Sequence, residues 1–220
     1  MQSDLESEIQ FARQHNIGDI LRRSAMRFPD KTAIICGQTE WTYKAFDTAC
    51  NQLARHLLAR GISAGDKIAV IARNSHGFAA IRFAIARIGA VLVPINFMLN
   101  ANEVRYILNS SRSKMLALGP EFIDIGLEAI SKGTDIEITL GLPSEHQSSS
   151  LKTDLRFEGL LTGDATAPEI HLDDRSLAQI VYTSGTEAMP KGAMLSHSAV
   201  LWQYTSCIID GEMTTSDVML

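Results

Sequence analysis

The stretch Thr183-Ser184-Gly185-Thr186-Glu187-Ala188-Met189-Pro190-Lys191-Gly192 gathers three hydroxyls, two glycines and one flexible cation. Placed after a strand, such a run can hold polyphosphate: hydroxyls and exposed backbone N–H groups donate, a glycine permits close approach, and the lysine supplies charge. The competing pattern is the Walker A loop, which needs Gly-x-x-x-x-Gly-Lys-Ser/Thr. Counted from Gly185, Pro190 stands where the second glycine belongs and Gly192 where the magnesium-binding hydroxyl belongs, so that pattern fails twice.

Other reactive residue types carry less. His197, between Ser196 and Ser198 at a helix start, reads as a capping or packing residue rather than a catalytic one. Trp202 and Tyr204 stand at helical spacing and read as core. Cys36, Cys50 and Cys207 are odd in number, widely spaced and form no Cys-x-x-Cys pair, so they read as reduced, small apolar core residues. No catalytic residue and no metal ligand is assigned within the chain.

The elements around these residues follow a βαβ rhythm. A helix over 17–28 turns Ile17, Ile20, Leu21 and Phe28 inward, and Arg22, Arg23 and Arg27 fit a solvated face. The same arginines leave peripheral membrane contact open. A hairpin follows, Thr32–Cys36 and 39–43 joined by Gly37-Gln38. A long helix then carries Phe46, Cys50, Leu53 and Leu57 on one face and ends near Gly61.

Strands are expected over 67–72, 90–94, 114–118 and 136–140, with helices over 77–88, 101–109 and 121–131 between them. Asn100 with Glu103 forms a capping box, and alanines 79, 80, 84 and 86 allow close packing of their helix. Residues 143–154 and 162–174 have loop composition, separated by a short apolar piece. The strand 178–182, the hydroxyl-rich loop, a strand over 193–195 and a helix over 198–209 complete the chain, and residues 216–220 look like the start of a further strand. The fold expected is α/β, a parallel sheet flanked by helices.

Bulk properties narrow the function. The 220 residues are 45% hydrophobic and 20% charged, enough for a buried core. A net charge of -5 gives no positive field to collect nucleic acid. The apolar region 77–99 is broken by Arg82, Arg87, Pro94 and Asn96, so it is no transmembrane segment. The acidic start, Met1 to Glu8, lacks the charge pattern of a targeting signal, and a cytoplasmic location is expected. Asn109-Ser110-Ser111 matches a glycosylation sequon that has no consequence there.

The segment Tyr182 to Gly192 closely resembles the signature loop of the adenylate-forming (AMP-binding) superfamily, whose common form is Tyr-Thr-Ser-Gly-Thr-Thr-Gly-x-Pro-Lys-Gly. Tyr182 to Thr186 and Pro190 to Gly192 match, whereas Glu187 and Ala188 replace Thr-Gly. A Glu at this point is similar to a variant in fatty acyl-CoA synthetases. The resemblance extends through Phe28-Pro29-Asp30, Thr42-Tyr43, Gly65-Asp66, Asn74-Ser75, Gly89-Ala90-Val91, Pro94, Asn96, Leu99 and Glu103 in family order. Ala45 departs from it, leaving a capping box at Thr42 incomplete.

This resemblance implies an N-terminal arm over 1–16 and a partial N-terminal AMP-binding domain over 17–220, part of the superfamily's large domain. It implies ATP, Mg2+ and coenzyme A as cofactors or co-substrates, and a carboxylic acid, medium- or long-chain fatty, as substrate. The acid would attack the α-phosphate of ATP, and the CoA thiol would then displace AMP. Thr183, Ser184, Gly185 and Thr186 would cradle the β- and γ-phosphates with Lys191 as a mobile cation, and Glu187, Ala188, Met189, Pro190 and Gly192 would complete the loop. Family members are more than twice as long, so a longer protein is expected and the fragment alone should be inactive. An aryl-CoA ligase, an amino-acid adenylation domain and a truncated non-catalytic ATP-binding scaffold stay open.

Overall fold

The computed structural model describes residues 15–183 and 190–219. Helix α1 (Ile17–Arg27) is started by Asn16, whose side chain accepts the Asp19 N–H while the Asp19 carboxylate accepts the Asn16 N–H, a reciprocal cap. Ile17 and Leu21 are buried as expected, but Phe28 lies past the helix end and is exposed. A two-residue turn joins β1 (Thr32–Cys36) to β2 (Thr39–Thr42), with Gly37 at φ +58°. Tyr43 does not extend β2; it opens α2 (Tyr43–Ala59), capped by Thr42 from one side only because Ala45 cannot return the bond.

Three βα steps and a closing strand follow: β3 (Lys67–Ile71), α3 (His76–Arg87), β4 (Val91–Pro94), α4 (Ala101–Ser111), β5 (Ser113–Leu118), α5 (Ile123–Ser131) and β6 (Ile138–Gly141). A 3-10 turn, Pro120–Phe122, precedes α5, with the proline at its first position, where no N–H is needed from it. The expected capping box at Asn100 and Glu103 is present.

The sheet order is β7-β6-β5-β3-β4-β8-β9, parallel except for β9, which runs antiparallel to β8. Central β3 shows why its sequence is apolar throughout. Ile68 and Val70 join the core under α2 and α3, whereas Ala69 and Ile71 join the core under α4 and α5. A strand buried on both faces has no solvent side to make polar. Ala80 and Ala84 are fully buried, and small side chains there bring α3 close against its neighbours.

Between α2 and α3, Arg87 is buried and bonds the Asp47 and Asn51 side chains. Cys50, beside it, is also buried, and burial pushes its thiol up to about 12 against the lowering influence of Arg87. The other cysteines differ from expectation: Cys36 is half-buried on the hairpin and Cys207 is exposed on the last helix.

The region 143–174 hides an element with weak sequence pattern. Leu155–Arg156 forms a two-residue edge strand, β7, followed by a 3-10 turn over Phe157–Leu160. Polar bonds place it: Asp154 accepts from the Thr139 N–H at 2.8 Å and its hydroxyl at 2.7 Å, and Glu158 accepts the Ser149 N–H at 2.9 Å. Residues 213–219 hold no strand, so the further strand expected over 216–220 is absent from its described residues. No helix of the described residues is long and apolar enough to cross a membrane.

Candidate functional site

The strands β8 (Leu177–Thr183) and β9 (Lys191–Ser196) carry the ends of the hydroxyl-rich loop. They form an antiparallel pair in which Thr183 faces Lys191 and Tyr182 faces Gly192. Ser184, Gly185, Thr186, Glu187, Ala188 and Met189 lie outside the described residues. Thr183, Pro190, Lys191 and Gly192 are described, and the exposed Thr183 and Lys191 side chains stand at the mouth of the hairpin. Lys191 corrects one expectation, since it begins β9 rather than lying in the loop. Its backbone is fixed by the ladder, so any mobility belongs to its side chain.

Topology puts this mouth where open α/β sheets bind ligands. The chain leaves β4 toward β5 on one side and leaves β8 toward β9 on the other, and β4 and β8 are parallel neighbours. Such a reversal opens a crevice at the carboxyl ends of the two strands. After β4, Asn96 turns the chain by accepting the Met98 N–H at 3.0 Å. Phe97 and Met98 are exposed there, and the Arg73 guanidinium, just past β3, sits 5.1 Å from the Phe97 ring centre. Sequence reading passed over Arg73 and Phe97, since neither belongs to a periodic pattern.

β8 is bent to serve both faces of the sheet. A register shift between Leu177 and Gln179 lets Ala178 join the α3 side while Leu177, Ile180 and Tyr182 pack on the α4 side. Gln179 accepts from Arg82 of α3 at 3.3 Å, and the same guanidinium donates to the Tyr204 hydroxyl on α6 (His197–Asp210). Tyr204 is thus a half-buried polar anchor, and Trp202, expected in the core, is 72% exposed.

His197 is a packing residue, as its setting suggested. It is fully buried, and its Nδ1 accepts the Ile17 N–H at 3.3 Å, which serves one of the unpaired donors at the start of α1. Burial lowers its pKa, outweighing the opposing carboxylates of Asp19 and Asp174. The imidazole is therefore held neutral and far from the role of a proton relay.

Among the described residues no three His, Cys, Asp or Glu side chains are grouped so as to hold a metal ion. The described residues therefore offer Mg2+ no such ligand set. The hydroxyl of Thr183 and the cation of Lys191 are accessible together and have the chemistry to meet an anionic group.

A mostly parallel, doubly covered sheet thus carries a hydroxyl-and-lysine hairpin at a switch point, the place where open α/β sheets take their ligands. The family profile described as AMP-binding enzyme matches residues 21–220, and the chain belongs to that family. It is 30% identical over 206 residues to 4-hydroxybutyrate–CoA ligase 2 of Metallosphaera sedula, covering 91% of this chain and 37% of that protein. To the medium-chain fatty-acid–CoA ligase of Escherichia coli it is 29% identical over 211 residues, covering 93% of this chain and 37% of that protein. A solved fatty acyl CoA synthetase of Mycobacterium tuberculosis superposes with a TM-score of 0.73 at 29% identity, covering 87% of this chain and 37% of that one. The chain spans well under half the length of these relatives.

Proposed function

We propose that this chain supplies the ATP-holding N-terminal portion of an AMP-forming acid–thiol ligase. A carboxylate oxygen attacks the α-phosphorus of ATP, the bond to pyrophosphate breaks, and an acyl-adenylate results. The CoA thiol then attacks the acyl carbon and AMP leaves. Thr183, Ser184, Gly185 and Thr186 donate to the β- and γ-phosphates. Lys191 neutralises charge gathering on pyrophosphate, and Glu187 to Pro190 and Gly192 shape the loop. These residues bind and position; none exchanges a proton.

The observation carrying this reading is the cross-strand pair of exposed Thr183 and Lys191 at the carboxyl end of a switch-point strand. For the acid we propose a medium- or long-chain fatty acid, supported by the fatty-acid ligase of Escherichia coli and the fatty acyl CoA synthetase of Mycobacterium tuberculosis among its relatives. A cytoplasmic setting, with magnesium carried in by ATP, completes the proposal. The test is ATP–pyrophosphate exchange by the full-length protein against fatty, hydroxy, aryl and amino acids. Lys191→Met should lower the exchange rate at least about tenfold, the loss of one charge-assisted contact, with an unchanged thermal midpoint. Unchanged exchange would remove Lys191 from the site, and exchange confined to amino acids would move the protein to another branch.

A further inference from the structure

We propose that Tyr182 is the positioning residue of the phosphate loop, holding the hairpin mouth in place through Ser110 and Gly192; this rests on the ligase reading above. The need for such a residue comes from the sheet. β8 is in register with β4 only at Leu92 and Gln179, so toward Thr183 its ladder partner is β9 alone. Among the described residues β9 pairs with β8 and with no other strand. A two-stranded ribbon is a weak mount for a loop that must be positioned within a fraction of an ångström.

Tyr182 replaces the missing support with a single side chain. Its hydroxyl donates to the Ser110 Oγ at 2.9 Å, on the last turn of α4. Its ring crosses the sheet face above its cross-strand partner Gly192, where an added Cβ would lie 3.1 Å from Tyr182 Cζ and 2.7 Å from Ile180 Cγ2. Glycine at 192 is therefore what lets the ring lie flat across the ribbon, the aromatic-over-glycine pairing that stabilises exposed strand positions. One residue thus ties β8, β9 and α4 together directly beneath the Thr183–Lys191 pair. Phenylalanine would keep the ring over Gly192 but could not reach Ser110. Tyr182 acts through Thr183 and Lys191, by holding their backbones at the spacing the phosphates require.

In the full-length protein, Tyr182→Phe should raise KM for MgATP about two- to fivefold, the size of one exposed neutral hydrogen bond. KM for the carboxylate and the thermal midpoint should not move. Ser110→Ala should give the same change, and the double variant should be no worse than either single one. An unchanged KM for MgATP, or additive losses in the double variant, overturns the proposal. So does a fall in thermal midpoint with both KM values rising together, which marks a merely structural role. If the wild-type protein exchanges pyrophosphate with no acid, the ligase reading has failed and the brace is judged separately. Hydrogen–deuterium exchange of the full-length protein should then show faster exchange in Tyr182→Phe for peptides holding Tyr182 and Gly192, and equal exchange rejects it.

Discussion

The strands β3 to β6 and the last hairpin with α6 belong to one sheet but are built on different terms. In the first region Ile68, Ala69, Val70, Leu116 and Leu118 are all fully buried, and helices close both faces. In the second, α6 buries His197, Val200 and Leu201 and leaves Trp202, Ile208 and Ile209 exposed, while Met194 on β9 is 69% exposed. The first region is specified by apolar burial. The second is held by a few polar ties: His197 to Ile17, Arg82 to Tyr204, and Tyr182 to Ser110. The candidate site sits on the less heavily packed region, as expected of segments that must adjust around a ligand.

Three measurements probe that difference, beginning with the largest effect. Leu53→Ala, in the core of the first region, should cost about 2–5 kcal/mol in urea unfolding, since a fully buried leucine leaves a cavity that the covering helices cannot collapse. A loss below about 1 kcal/mol would show that this core is looser than its burial implies.

Next comes acid. The folded pKa values of His197 and His76 are depressed by burial, so the unfolded chain takes up those protons first. Stability should be fully present above the ordinary histidine value and should fall as pH drops below about 6.5, by at most about 1.4 kcal/mol per pH unit for each proton. His197→Asn, which keeps an acceptor for Ile17 but cannot titrate, should flatten this slope. An unchanged slope would place the titration elsewhere.

The smallest effect belongs to the exposed face of α6. Trp202→Ser should change stability by no more than about 0.5 kcal/mol, because its side chain gains little from the fold. A larger loss would mean that α6 is packed more like the first region.

The same contrast explains what could be read from residues alone. Periodicity located β3, α3, β4, α4, β5 and β6 to within two residues, because apolar burial writes directly into sequence pattern. The cap at Asn100 was legible because it is local. Edge strand β7 escaped, since two residues carry no period and the bonds from Thr139 to Asp154 that fix it are remote. Trp202 was misplaced because helical spacing identifies a stripe without saying what covers it. At the candidate site, the loop's chemistry was legible from its residue types. That Lys191 starts a strand opposite Thr183 was not, because cross-strand register is settled by pairing between segments rather than within one.

The bond between Ile17 and His197 spans 180 residues, which has a consequence for how the protein is made. At a translation rate of about 5–20 residues per second, roughly ten to forty seconds separate the appearance of α1 from that of the imidazole receiving its first N–H. During that interval α1 can rest on α2 and α3, but its leading turn has an N–H donor without its acceptor. The first described helix is thus finished by the last described one, and a ribosome paused between them would hold a nascent protein whose sheet is largely assembled and whose α1 is still incompletely seated.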